Sequence, residues 1–162
     1  MQPFRIREDA LAWFKELYSR KEFRIGFDAF YFCFMAGIAS RRKLSFTQDE
    51  TSELVSYFPD GYNGTRGQAL VALFLKAELD ELGVAMDETG KKRDVHAAIA
   101  KLVDYSAPSK LSADGTTLFN QYAHGGFEAL SEWFDDRPRS LETFLRAFKL
   151  KLDDAIASRI GA

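Results

Sequence analysis

Glu78 is the polar residue that fits its surroundings worst. With about 100° between successive residues of a helix, it falls between Val71 and Phe74, with Leu75 and Leu82 as its other neighbours. A carboxylate on such an apolar face loses its water, so it is either protonated or paired with a cation. In the first case it is a general acid or base, or a carboxylate that receives a partner. In the second it forms an internal salt bridge, with Arg24 or Arg66 as the counter-ion. Buried charges are usually paired, which favours the salt bridge.

Asn63-Gly64-Thr65-Arg66-Gly67 is a glycine-bracketed turn leading into a helix. Free N–H groups and the helix dipole favour an anion there, and Arg66 adds a charge. The Gly-x-x-Gly form matches the phosphate-clamping loop of KH domains, but the strands such a domain needs are absent from the pattern. The Gly-Lys-Ser/Thr ending of a nucleotide-binding P-loop is missing as well. A plain turn with Thr65 as the helix N-cap accounts for the same residues.

Arg41-Arg42-Lys43 is the sharpest basic cluster. Arg5, Arg7, Arg20, Lys21 and Arg24 form a second group, and Lys91-Lys92-Arg93 a third. If they converge, they track phosphates. Cations after a helix C-terminus also complement its dipole while staying solvated. Residues 1–60 carry nine basic and nine acidic side chains, so this N-terminal part is balanced rather than basic.

The remaining chemistry is sparse. His96 and His124 lack metal-ligand company, and Asp135-Asp136 and Asp153-Asp154 fall in a loop and on a polar helix face. No nucleophile motif occurs. Cys33, between Phe32 and Phe34, reads as inert packing with its thiol pKa raised by burial. Catalysis by Glu78 with His96 or His124 requires those groups to meet in one pocket. No residue set calls for a metal or a cofactor.

The elements that must position these residues are helical. Leu11, Phe14, Leu17 and Tyr18 share one helix face, and 27–39 is apolar on all sides, as a central buried helix would be. Thr47-Gln48-Asp49-Glu50 fits a capping box that opens a helix towards Phe58. Helices follow over 66–82, ended by Gly83, and over 95–105, capped by Asp94. Two shorter pieces, 116–123 and 127–134, are separated at Gly125-Gly126. The last helix starts at Ser140 with the core stripe Leu141, Phe144, Leu145, Phe148, Leu152 and Ile156. The expected fold is all-α, a single compact domain over residues 1–162, with seven to eight helices around a central aromatic-rich helix.

Composition agrees with a globular chain and bounds its partners. One cysteine excludes a disulfide framework, and 22 basic against 24 acidic residues argue against a generic nucleic-acid coat. The N-terminal residues lack the apolar core of a signal peptide, and 27–39 is too short to cross a membrane, so a soluble cytoplasmic protein is expected. Fifteen phenylalanines are a surplus, and part of this aromatic set is expected at an interface. Leu150 lies opposite the core stripe of the last helix, flanked by Ala147 and Ala157. Such a second apolar strip suggests a protein partner or a second copy.

The stretch Lys21-Glu22-Phe23-Arg24-Ile25-Gly26-Phe27-Asp28-Ala29-Phe30, with Phe34-Met35-Ala36-Gly37-Ile38 and then Arg41-Arg42-Lys43, resembles the start of small accessory proteins of bacterial DNA-phosphorothioation and related phage-defence systems. The resemblance implies a non-catalytic subunit working beside larger nucleases, helicases or modification enzymes, and supplies no catalytic residues. The expected function is therefore that of an accessory or adaptor protein acting through protein–protein contacts, with Leu150 in the contact. The alternative is a nucleic-acid-binding module using Arg41, Arg42, Lys43 and Arg66.

Overall fold

Helices dominate the chain, as the spacing of its apolar residues predicts. The computed structural model describes residues 2–17, 26–83 and 92–160. Its elements run β1 (Arg5–Arg7), α1 (Glu8–Trp13), α2 (Gly26–Ser40), β2 (Thr51–Glu53), α3 (Thr65–Glu81), α4 (Lys92–Leu102), α5 (Ala113–Trp133) and α6 (Leu141–Ile160). Among the described residues there are thus six α-helices rather than seven to eight, and a small sheet joins them. These residues pack as two compact units, one of Met1–Phe4 with Val55–Phe119, the other of Arg5–Leu54 with Asn120–Ala162.

The sheet belongs to the second unit. β1 and β2 pair antiparallel, Arg5 opposite Glu53 and Arg7 opposite Thr51. The capping box at Thr47 does form: the Glu50 carboxylate accepts the Thr47 N–H at 3.2 Å and its hydroxyl at 3.1 Å. It opens only the single 3₁₀ turn Gln48–Glu50, because the next residues extend to pair with β1. The helix expected over 48–58 is therefore absent. Likewise the first helix face is shorter than its spacing suggests: α1 stops at Trp13, a 3₁₀ turn takes Lys15–Leu17, and Tyr18 lies outside the described residues.

α2 is the buried aromatic helix expected, with Phe27, Phe30, Phe32 and Phe34 all inside. Phe32 meets Phe144 and Phe148 of α6 edge-on, at ring-centroid distances of 5.0 and 5.1 Å. The indole of Trp13 closes the same cluster against Phe127, Phe134 and Phe144. On its other side α2 meets α5 backbone to backbone. A Cβ on Gly37 would overlap the Tyr122 carbonyl, and one on Gly126 the Cys33 carbonyl.

That contact explains why Gly125-Gly126 does not divide α5. Locally the pair disfavours helix by about 1 kcal/mol per residue. The close approach of Arg42 to Gly125 and of Cys33 to Gly126 rewards helical backbone without side chains, so the two pieces expected are one helix, Ala113–Trp133. α6 begins after Ser140 as expected, with Phe144 and Phe148 buried, although Leu145 of the expected stripe is exposed.

The first unit is built around Phe4, Phe58, Phe74 and Phe119. Phe4 lies 5.1 Å from Phe58 and 5.5 Å from Phe119, and Phe74 lies 5.3 Å from Phe119. α3 stops at Glu81 with Leu82 as its C-cap, and Gly83 just beyond is the expected glycine stop, at φ +69°. Its N-cap is Gly64 rather than Thr65, which is the first helical residue. α4 starts at Lys92, before the expected Asp94 cap, and stops at Leu102 because Val103 bridges to Leu111. No described helix is long and apolar enough to cross a membrane.

Substituting Gly126 with alanine should destabilise the protein by about 3 kcal/mol, since backbone rather than a flexible side chain must give way. Gly83→Ala, at a left-handed position with open space, should cost about 1 kcal/mol. Denaturant unfolding of the two variants checks this; equal losses would mean that the α2–α5 approach does not need glycine.

Candidate functional site

The first unit holds a cleft of about 460 Å³. One wall is the face of α3 that carries Gly64, Gly67, Gln68, Val71, Ala72 and Leu75. Gly67 is required there, because a Cβ would come within 2.8 Å of the Phe58 ring and 2.9 Å of the Tyr62 carbonyl. Facing it are Tyr57, Phe58 and Asn63 and the turn after α4, with Val103, Tyr105, Pro108, Ser109 and Lys110. The lining is mostly apolar, with a few polar groups, the make-up of a ligand or peptide pocket.

Its rim is aromatic and open. Tyr105 is 78 % exposed, more than any other large apolar side chain described, and Tyr57 is 50 % exposed. The turn that carries Tyr105 is closed by its own hydrogen bonds: Asp104 N–H to the Lys110 carbonyl, and Lys110 N–H to that of Ala107, both at 3.0 Å. Lys110 itself sits at φ +65°. A left-handed non-glycine residue costs roughly 1–2 kcal/mol relative to right-handed backbone. The Lys110 ammonium returns to donate to the Tyr105 carbonyl at 2.9 Å.

The expected basic triplet has another use. α2 ends in a Schellman motif: Arg42 N–H donates to the Gly37 carbonyl at 3.0 Å and Arg41 N–H to that of Ile38 at 3.3 Å. Arg41 takes the left-handed position normally given to glycine, at φ +52°, and its guanidinium donates back to the Ile38 carbonyl. Arg42 forms a two-pronged pair with Glu132, both bonds at 3.0 Å, and holds that carboxyl below its usual range. Lys43 lies over the Tyr122 ring at 5.6 Å. Arg159 adds two donations to the same helix end, at the Ile38 and Ala39 carbonyls. In the described structure these cations cap and stitch α2.

Arg7 departs furthest from a solvated cation. It is 7 % exposed, pairs with Asp9 and Glu128 at 2.7 Å each, and donates to the His124 carbonyl at 3.2 Å. Its guanidinium lies 4.2 Å from the Phe46 ring centre and 4.9 Å from that of Phe127. Burial opposes the Arg7 charge, but the two carboxylates outweigh it and the pKa is raised. Arg5 is spent on Thr51 and Glu53. Arg20, Lys21, Arg24 and Lys91 lie outside the described residues, and the Lys92 side chain is not described.

The other candidates fall as follows. Glu78 is buried, 8 % exposed, as its helix position predicts. The expected counter-ion Arg66 is instead exposed and donates to the Gly61 carbonyl at 2.9 Å, while Arg24 lies outside the described residues. His96 is exposed on α4, and neither it nor Glu78 lines the cleft. Cys33 is fully buried, and burial raises its thiol pKa, as expected. Leu150 is 65 % exposed on α6. No described phenylalanine is exposed; the exposed aromatic rings at the cleft are Tyr57 and Tyr105. Among the described residues no group of His, Cys, Asp and Glu can hold a metal ion.

His124 is 4 % exposed, with Nδ1 lacking a hydrogen-bond partner and Phe46 edge-on at 5.4 Å. Burial, and then the positive charges of Arg7 and Arg5, push its pKa down to about 4. Above pH 6.5 the imidazole is neutral whether folded or unfolded. As pH falls towards 4 the unfolded chain takes up the proton first, and stability is lost, on the order of 3 kcal/mol in all. His124→Leu should flatten this part of the acid limb; the Arg7 bond to the backbone carbonyl survives the change. Unfolding curves from pH 7 to 4 test it, and parallel losses in both proteins would contradict a neutral buried His124.

No protein family, curated protein or solved structure matches the chain.

Proposed function

We propose that this protein is an accessory or adaptor protein that works by holding a partner protein in the cleft of its first unit. The observation that carries the reading is the rim: Tyr57 and Tyr105 stand exposed at the mouth of an apolar cleft of about 460 Å³. The exposed surface of these rings adds no packing inside the unit, whereas tyrosine is the residue type that partner surfaces favour. The resemblance of residues 21–43 suggests the setting, a cytoplasmic subunit of a bacterial DNA-modification or phage-defence system. The exposed Leu150 on α6 supports a second contact, with a partner or another copy of the chain. A nucleic-acid module draws less support, because Arg41, Arg42 and Lys43 already have partners within the fold.

Cross-linking and co-purification from the native host test this. The wild-type protein should recover a defined partner, and the double variant Tyr57→Ser with Tyr105→Ser should recover at least tenfold less while melting at an unchanged temperature. Recovery of the same partner by the double variant would sink the cleft as the partner site. Loss on Leu150→Arg instead would move the contact to α6.

A further inference from the structure

We infer that the partner segment seated in the cleft is an extended apolar stretch carrying an acidic residue whose carboxylate meets Lys110; this rests on the cleft being the partner site. Among the described residues Lys110 is the single charged side chain in the lining and no carboxylate lines it, in a chain with 24 acidic and 22 basic residues. α3 contributes its N-terminal end to the same wall through Gly64 and Gly67, so the helix dipole has the same sign as the lysine.

The ammonium of Lys110 has three donors, and its one described bond, to the Tyr105 carbonyl, leaves two of them. The neighbouring carboxylate, Asp104, is held by the Ser106 N–H at 3.0 Å and hydroxyl at 2.6 Å; the Lys110 charge acts on it from a distance but makes no contact ion pair with it. The turn keeps a lysine at a left-handed position that glycine would occupy without strain, and so keeps a cation at the cleft wall.

The rim favours a chain over a compact ligand. Tyr57 and Tyr105 both line the cleft yet stay 50 % and 78 % exposed, and an extended segment has the length to cover both rings while its side chains seat between them. Peptide grooves lined by aromatic residues work in this way, with apolar side chains seated and a flanking charge setting selectivity.

A terminally blocked random heptapeptide library selected on the full chain tests the inference, with Tyr105→Ser as the control for binding at the cleft. Peptides retained by the wild type but not by Tyr105→Ser should be enriched at least threefold in Asp or Glu beside Leu, Phe or Pro. Lys110→Glu should shift that preference to Lys or Arg. For an enriched peptide, Lys110→Gln should weaken binding about threefold and remove most of its salt dependence, as for an exposed ion pair. Tyr105-dependent peptides with no acidic preference, or with a preference that Lys110→Glu leaves unchanged, would overturn the inference while leaving the cleft as the partner site. If no Tyr105-dependent peptide is retained, the cleft reading itself falls.

Discussion

In the second unit everything is arranged around one approach of two backbones. α2 and α5 come together with Gly37 and Gly126 where side chains would otherwise stand, so carbonyl oxygens of one helix occupy the space of the other's missing Cβ atoms. Glycine weakens each helix on its own, and the contact restores what it costs through dense packing. It also dictates how α2 ends. The chain must turn sharply to lay Arg42 against Gly125, and the Schellman motif with a left-handed Arg41 makes that turn.

Electrostatics in this unit follow from the same packing. Arg7 emerges from β1 against α5, where solvent is excluded, and its charge is tolerated because its fork is divided between Asp9 and Glu128 and it lies over the Phe46 and Phe127 rings. Burial first, and then the positive charge held there, favour the neutral form of the neighbouring His124 imidazole. A basic residue that reads from sequence as part of a surface cluster is thus a fixed interior charge, and the surface loses a cation.

Features set by one local stretch were legible. The all-round apolar run of α2, the glycine stop of α3, the start of α6, the burial of Glu78 and the inertness of Cys33 each depend on near neighbours in sequence. Features set by distant segments were not. Gly125-Gly126 looks like a break until Cys33 and Arg42 are placed against it. Thr51–Glu53 looks helical until β1 offers a partner, because three residues carry no periodicity. The cleft was illegible for the same reason: its walls come from the stretches around Tyr57, α3 and Lys110, which lie apart in sequence. The phenylalanine surplus pointed to an interface, but phenylalanine has no polar atom to keep wet. The described phenylalanines went inward, and tyrosine took the rim.

The distribution of spectroscopic groups has a practical consequence. Both tryptophans, Trp13 and Trp133, and the single thiol, Cys33, lie in the second unit. Indole emission and the rate of thiol modification therefore watch that unit open, the thiol only when α2 is exposed to reagent. The unit that holds the cleft is silent in both signals. Circular dichroism sums the helices of both units, so a gap between it and the indole signal on unfolding would show that the units open separately.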